Sequence, residues 1–138
     1  MKKILSAAFA LLTLTLLISC ASVKEIPEDK TAAQIIQMGQ NSVSVSDYQS
    51  ALLCYSTTIE RFGTNPAVYA EARYEMGNVY LKQKIYDKAY GVFKELLDLY
   101  STNGAIFPPA YKKLSQLCIK QIPEKTLAEL RTQFNSSY

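Results

Sequence analysis

Apolar residues change their spacing near residue 30 of this chain. From Ile4 to Ile18 they form one run that contains no charge and only scattered Ser and Thr. Beyond residue 30 they recur every three or four positions, a spacing that places side chains on one face of an α-helix. One such face consists of Leu52, Tyr55, Ile59 and Phe62, and another of Phe93, Leu96, Leu97 and Tyr100.

Cap and turn residues divide the amphipathic part into six predicted helices. Ser46-x-x-Gln49 predicts a capping box, and Asn65-Pro66 predicts a cap followed by proline in the first turn. Pro108-Pro109 and Pro123 mark two later starts. We predict helices near residues 30–44, 47–62, 66–82, 86–100, 108–121 and 124–135. The expected fold is all-α, a stack of helical hairpins without strands.

The same part of the chain repeats itself with a period of 38 residues, since Met38-Gly39 recurs as Met76-Gly77. Further pairs are Tyr48 and Tyr86, Ala51 and Ala89, Tyr55 and Phe93, Ile59 and Leu97, and Phe62 and Tyr100. A third copy is indicated by Thr64-Asn65 and Thr102-Asn103, Val68-Tyr69 and Ile106-Phe107, Ala72 and Ala110, and Met76 and Leu114. The register predicts two full repeats and part of a third.

Met76-Gly77-x-x-Tyr80 followed by Ala89-x-x-x-Phe93 resembles the tetratricopeptide (TPR) pattern. In that pattern small residues let the two helices of a hairpin approach closely, and aromatic residues fill the space between hairpins. The resemblance implies a short right-handed solenoid of antiparallel helix pairs, with about two full repeats and a capping partial repeat. The departures from the pattern are Arg73, Ser101 and Ser42 in the full copies and Ser115 and Arg131 in the third.

The chain begins with the layout of a secretory signal, because Lys2 and Lys3 precede the apolar run, which is shorter than the roughly 20 residues of a membrane span. Leu17-Ile18-Ser19-Cys20 resembles the lipobox of bacterial lipoproteins. The resemblance implies a cleaved signal peptide over residues 1–19, lipid on Cys20 (a palmitate-type anchor) and a polar tether over residues 20–30. An ordinary signal peptide with a chance cysteine is the alternative. Ala21, which is not an aspartate, favours the outer membrane over the inner membrane.

Composition excludes several function classes for the repeat domain at residues 31–138. After residues 1–19 are removed, 13 of the 15 Lys and Arg remain against 12 Asp and Glu, so no basic excess suggests nucleic-acid binding. The chain has no histidine, and no metal, cofactor or catalytic residue is predicted. Cys54 and Cys118 are interpreted as small core residues, with a disulfide as the alternative. The tyrosines at repeat positions are likewise assigned to packing.

In tetratricopeptide proteins a concave surface of first helices binds peptides, and the repeat register predicts the matching positions here. They are Ile36, Gln40 and Val43, then Tyr74, Asn78, Leu81 and Lys82, then Lys112, Gln116, Ile119 and Lys120. Among them Tyr74, Asn78, Lys82, Lys112 and Gln116 are the candidate partner-binding residues. The resemblance implies that Lys82 and Lys112 receive a carboxylate of the bound peptide. An ordinary solvated polar face is the alternative for each of them.

These features predict a non-catalytic protein-interaction scaffold, anchored to the bacterial outer membrane and facing the periplasm. The longer loops between hairpins resemble those of periplasmic tetratricopeptide proteins of outer-membrane assembly and of the Tol-Pal system. The expected partners are therefore cell-envelope proteins or their peptide segments, the membrane through Cys20, and possible further copies of the chain. A self-associating partner of a periplasmic solute-transport system is the alternative, and an unrecognised enzyme is a third hypothesis.

Overall fold

Six α-helices account for most of residues 25–135, the part of the chain described by the computed structural model. They are α1 (Ala32–Ser44), α2 (Tyr48–Phe62), α3 (Pro66–Lys82), α4 (Tyr86–Asn103), α5 (Pro109–Ile119) and α6 (Glu124–Asn135), with a 3-10 turn at Gly104–Ile106. This described range contains no strand, so the all-α prediction is confirmed. The predicted signal peptide, Cys20 and residues 21–24 of the tether lie outside the described residues.

Polar side chains fix where the first three helices begin. Asn65 Oδ1 accepts a hydrogen bond from the backbone nitrogen of Ala67 at 3.0 Å, and Pro66 is the first residue of α3, as predicted. The capping box predicted at Ser46 is wrong. Asp47 caps α2 instead, with its carboxylate accepting from the backbone nitrogen of Ser50 at 3.1 Å.

Ser46 cannot be the cap because the hairpin turn needs it in a different backbone conformation. Its φ of 61° is left-handed, and Lys84, 38 residues later, has a φ of 60° in the next hairpin turn. Both turns are closed by matching hydrogen bonds, from Asp47 N to Ser42 O and from Ile85 N to Tyr80 O, each 2.9 Å long. The 38-residue period of the sequence is therefore reproduced in the backbone of the first two hairpins.

The interiors of these two hairpins are also equivalent. Tyr55 lies against Gly39 in the first hairpin, and Phe93 lies against Gly77 in the second. The buried cluster around Tyr55 also includes Ala72 and Val79 of α3, so the same side chains join the first hairpin to the second. The small and aromatic residues thus pack as the repeat pattern predicts.

The third copy departs from the 38-residue register. Helix α4 extends to Asn103, so Thr102 lies within the helix, whereas its counterpart Thr64 lies in the α2–α3 connection. Helix α5 then starts only at Pro109, after the 3-10 turn. The later start of α5 accompanies a change in which of its residues meet the second hairpin.

Burial along α5 shows the size of this change. Ala72 and Val79 are buried on α3, but Leu117, the counterpart of Val79, is 46% exposed. The residue after it, Cys118, packs against the second hairpin instead. Helix α5 therefore meets the second hairpin through Cys118 and not through Leu117, although Ser115 is buried like its counterpart Gly77.

Helix α6 covers the end of the second hairpin. The Phe134 ring meets the Tyr90 ring edge-on, with 5.2 Å between ring centroids, and Leu127 and Leu130 are buried beside Tyr90. Helix α6 approaches α4 more closely than it approaches α5. This agrees with the loss of the glycine–aromatic pair at Ser115 and Arg131, since that pair brings helices together in the earlier hairpins.

Residues 25–30, predicted as the end of a polar tether, are in contact with the helices. Ile26 is 4% exposed and packs with Ile35 and Cys54. The Arg61 guanidinium donates hydrogen bonds to the carbonyl oxygens of Ile26 at 2.9 Å and Pro27 at 2.8 Å. Because backbone and side chain are both held, the boundary of the packed domain lies before residue 31.

Candidate functional site

A groove lies between α3 and the C-terminal ends of α1 and α5. Its volume is about 370 Å³, and its lining residues are Val43, Tyr74, Glu75, Asn78, Val79, Leu81, Lys82, Cys118 and Gln121. Tyr74, Asn78 and Lys82 follow one another at four-residue spacing along α3, which places them on one side of the helix. The structure therefore brings together three of the five candidate partner-binding residues.

The other two candidates are placed elsewhere. Gln116 lines a second depression between α4, α5 and α6, together with Ile119, Lys120 and Arg131. Lys112 is exposed and lines neither depression. Placing both residues beside Tyr74 and Asn78 was wrong, because that placement assumed that α5 keeps the 38-residue register. Helix α5 instead directs Cys118 toward α3.

Two of the three residues predicted for the first copy have other roles. Ile36 is buried in the core of the first hairpin. Gln40 connects α1 to α3, because its Nε2 donates a hydrogen bond to Glu75 Oε1 over 3.1 Å. Val43 does line the groove.

Cys118 connects α5 to the groove face of α3. Its Sγ donates to Asn78 Oδ1 at 3.3 Å and lies 3.8 Å from the Tyr74 hydroxyl. Burial raises the pKa of the Cys118 thiol and the pKa of Tyr74. The thiol therefore stays protonated at neutral pH and serves as a hydrogen-bond donor. Cys54 is also free and buried, in a separate cluster with Ile26 and Ile35.

Two glutamates that were not predicted as site residues lie at or next to the groove, since Glu75 lines it and Glu71 precedes Glu75 on α3. Glu71 and Glu75 are one helical turn apart on α3, with Tyr74 beside them. Burial raises the pKa of Glu71, and the negative charge of Glu75 raises it further. Burial and then both carboxylates raise the pKa of Tyr111 to about 12. The available sequence signal was the helical spacing of Glu71, Glu75 and the residues at 78 and 82, which are three or four residues apart.

An unpaired hydroxyl lies beneath this surface. Tyr55 is 0% exposed, and its hydroxyl has no hydrogen-bond partner among the described residues. Burial raises the pKa of this phenol, and the negative charges of Glu75 and Glu71 raise it further. The Tyr55 hydroxyl is thus electrostatically coupled to the same two carboxylates as Tyr111.

Residues 25–135 contain neither a metal-ligand cluster nor a helix of membrane-spanning character. Within that range, no group of three or more His, Cys, Asp or Glu side chains is arranged to hold a metal ion. None of its helices combines the length and the apolar character needed to cross a bilayer.

Comparison with known proteins gives one relevant similarity. The chain is 31% identical over 119 residues to an uncharacterized protein of Treponema pallidum (strain Nichols), and the match covers 83% of this chain and 48% of the relative. The chain therefore spans about half the length of that relative. No family model matches the chain, and no solved structure matches it.

Proposed function

We propose that this chain is a lipoprotein anchored through Cys20 that acts as a non-catalytic protein-interaction scaffold at the outer membrane, facing the periplasm. Its groove binds an extended or helical segment of a cell-envelope protein, in the manner of a tetratricopeptide domain. The lipobox-like residues Leu17 to Cys20 support the anchor, and the tetratricopeptide-like repeat supports the scaffold role.

The observation that carries the proposal is the row of Tyr74, Asn78 and Lys82 along one groove. This row offers an aromatic ring, an amide and an ammonium group at successive helical turns. The Asn78 side chain is held in the groove from two sides, because its Oδ1 accepts from the Cys118 thiol and its amide also hydrogen-bonds to Tyr74.

The test is photo-crosslinking in intact cells with the full lipidated chain. A crosslinking amino acid replaces Lys82 at the edge of the groove, and a matched control replaces Lys125, which is exposed on α6. We expect mass spectrometry to identify envelope proteins that crosslink from position 82 and not from position 125. Identical products from both positions, or none, would contradict a role for the groove. In parallel, Cys20→Ser is expected to release the chain from the membrane fraction.

Self-association within a periplasmic solute-transport system is the second candidate function. It is favoured by Leu114 and Leu117, which are 37% and 46% exposed on one side of α5. Sedimentation equilibrium of the full chain in neutral detergent separates the two candidates. A dimer or larger oligomer that Leu117→Glu converts to monomer would support self-association, and a monomer at all concentrations would exclude it.

A further inference from the structure

We propose that the acidic end of the groove binds a cationic side chain, a Lys or Arg of the partner, between Glu71 and Glu75 and beside the rings of Tyr74 and Tyr111. The inference rests on the proposed function, because it names the chemistry of the segment that the scaffold binds. It adds a positive group to a bound segment for which the repeat register suggested only a carboxylate.

The two carboxylates have no counter-ion among residues 25–135. The ion pairs among residues 25–135 use Asp29, Glu95 and Asp98, and neither Glu71 nor Glu75 contacts a Lys or Arg in that range. Glu75 accepts only a neutral amide hydrogen bond, from Gln40. Like charges one helical turn apart repel each other, and partial burial makes the repulsion stronger than in water. A bound cation would relieve this repulsion.

The Tyr55 hydroxyl has no hydrogen-bond partner among the described residues. The Tyr55 ring lies against Gly39, and after burial the negative charge of Glu75 is the largest cause of the raised pKa of this phenol. A fully buried hydroxyl without a partner is unfavourable. A bound cation would offset the negative potential that Glu75 and Glu71 exert on this buried phenol.

Two tyrosine rings lie next to each other at this end of the groove. The rings of Tyr74 and Tyr111 are 5.5 Å apart between centroids and are tilted by 45°. Tyrosine faces attract ammonium and guanidinium groups, and this attraction adds to that of nearby carboxylates. Aromatic rings together with unpaired carboxylates favour a cation over a neutral polar group.

The opposite end of the groove has the opposite charge. Lys82 lines the groove two turns beyond Glu75, whereas Lys112 does not line it. The groove is thus polarised along α3, from the carboxylates at residues 71 and 75 to the ammonium group at residue 82. A bound segment would be oriented with its cation near Glu71 and its carbonyl or carboxylate groups near Asn78 and Lys82.

The test uses the full lipidated chain in neutral detergent at about 150 mM salt, which screens unspecific attraction. The probes are two fluorescein-labelled, amidated hexapeptides, one alternating Ala with Arg and the other alternating Ala with Glu. Fluorescence anisotropy measures their affinities for the native chain, for Glu71→Gln/Glu75→Gln, and for Glu129→Gln. Glu129 is exposed on α6 and supplies a matched charge control.

We expect the Arg peptide to bind the native chain and to lose about tenfold in affinity with the double variant, equivalent to about 1.4 kcal/mol. Glu129→Gln is expected to change the affinity less than about twofold, since surface charges far from a site contribute little. Circular dichroism confirms that each variant is folded. Equal Arg-peptide affinity for all three chains, no binding of that peptide, or tighter binding of the Glu peptide would overturn the inference.

The proposed function has its own, separate readout. Position 82 could crosslink envelope proteins while the affinity for the Arg peptide is the same with and without the Glu71 and Glu75 carboxylates. That result would support the scaffold function and reject the cation site. If neither measurement detects binding, both are rejected.

Discussion

Gly77 is so close to Phe93 that a Cβ atom at residue 77 would lie 2.5 Å from Cε1 of the ring. Gly39 has the same relationship to Tyr55, again at 2.5 Å. Since both pairs are related by 38 residues, the repeat of the sequence is a repeat of one close packing contact between the two helices of a hairpin.

Gly77→Ala is therefore expected to lower the free energy of unfolding by about 1–3 kcal/mol, because the added methyl group overpacks the hairpin. Gly104→Ala is the matched control, since a Cβ atom there meets nothing within 4 Å. Urea denaturation followed by circular dichroism at 222 nm measures both. Equal stability of the two variants would show that the Gly77–Phe93 contact does not limit helix separation.

The left-handed residue of each hairpin turn offers a stabilising change. Lys84 has a φ of 60°, a conformation that costs roughly 1–2 kcal/mol for a residue with a side chain and little for glycine. Glycine also loses more backbone entropy on folding, so we expect Lys84→Gly to raise the free energy of unfolding by up to about 1 kcal/mol.

Gln83→Gly is the control for this prediction, because Gln83 has a φ of −76°. Glycine there is expected to lower the free energy of unfolding by about 0.5–1 kcal/mol. Urea denaturation of the two variants should give shifts of opposite sign. Shifts of the same sign would contradict the role of the left-handed turn.

Arg61 holds the N-terminal segment on α2 through two carbonyl oxygens. Hydrogen bonds of this type contribute about 0.5–1.5 kcal/mol each, so Arg61→Ala should release residues 26–30 before the helices unfold. Amide hydrogen exchange provides the measurement, since Lys30 N is bonded to Pro27 O in this segment. We expect faster exchange at Lys30 and unchanged exchange in α3. Arg131→Ala, an exposed control on α6, should leave Lys30 unaffected.

Glu71 makes the stability of the chain depend on pH. Its pKa is raised from the ordinary 4.5 by burial and then by Glu75, so the folded chain holds this proton more tightly than the unfolded chain. The contribution of Glu71 to stability is therefore greatest below pH 4.5 and decreases as the pH rises through the higher folded pKa.

Glu71→Gln removes the decrease in stability that accompanies ionisation of the Glu71 carboxyl group. It should raise the free energy of unfolding at pH 7, by less than about 1 kcal/mol because the group is partly solvated, and should have little effect below about pH 4. Urea titrations at the two pH values test this, with the exposed Glu129→Gln as control. A destabilising effect at pH 7 would show that the Glu71 carboxylate has a favourable partner.

Much of the fold could be predicted because its signals are local. The period of apolar residues indicated six helices whose bounds differ from those in the structure by at most three residues. Asn65-Pro66 marked a helix start correctly, since the cap and its acceptor are neighbours in sequence. Ser46 was misassigned because Ser46 and Asp47 are both good caps, and only the geometry of the closed turn distinguishes them.

The candidate site could be predicted only in part. Tyr74, Asn78 and Lys82 belong to one helix, so helical spacing was enough to group them. Lys112 and Gln116 belong to another helix, and their position depended on how α5 is turned about its axis. The isolation of Glu71 and Glu75 from any cation in the described part of the chain is likewise a property of packing.

The sequence by itself therefore determined the all-α class, the positions of the helices and the close contact of Gly39 with Tyr55 and of Gly77 with Phe93. These follow from the spacing of apolar and small residues within about one repeat. The tertiary structure alone decided the packing of α5, the docking of Ile26 and the acidic end of the groove. The reason is that rotation about a helix axis and the pairing of distant charges are fixed by contacts between helices, which no short stretch of sequence specifies.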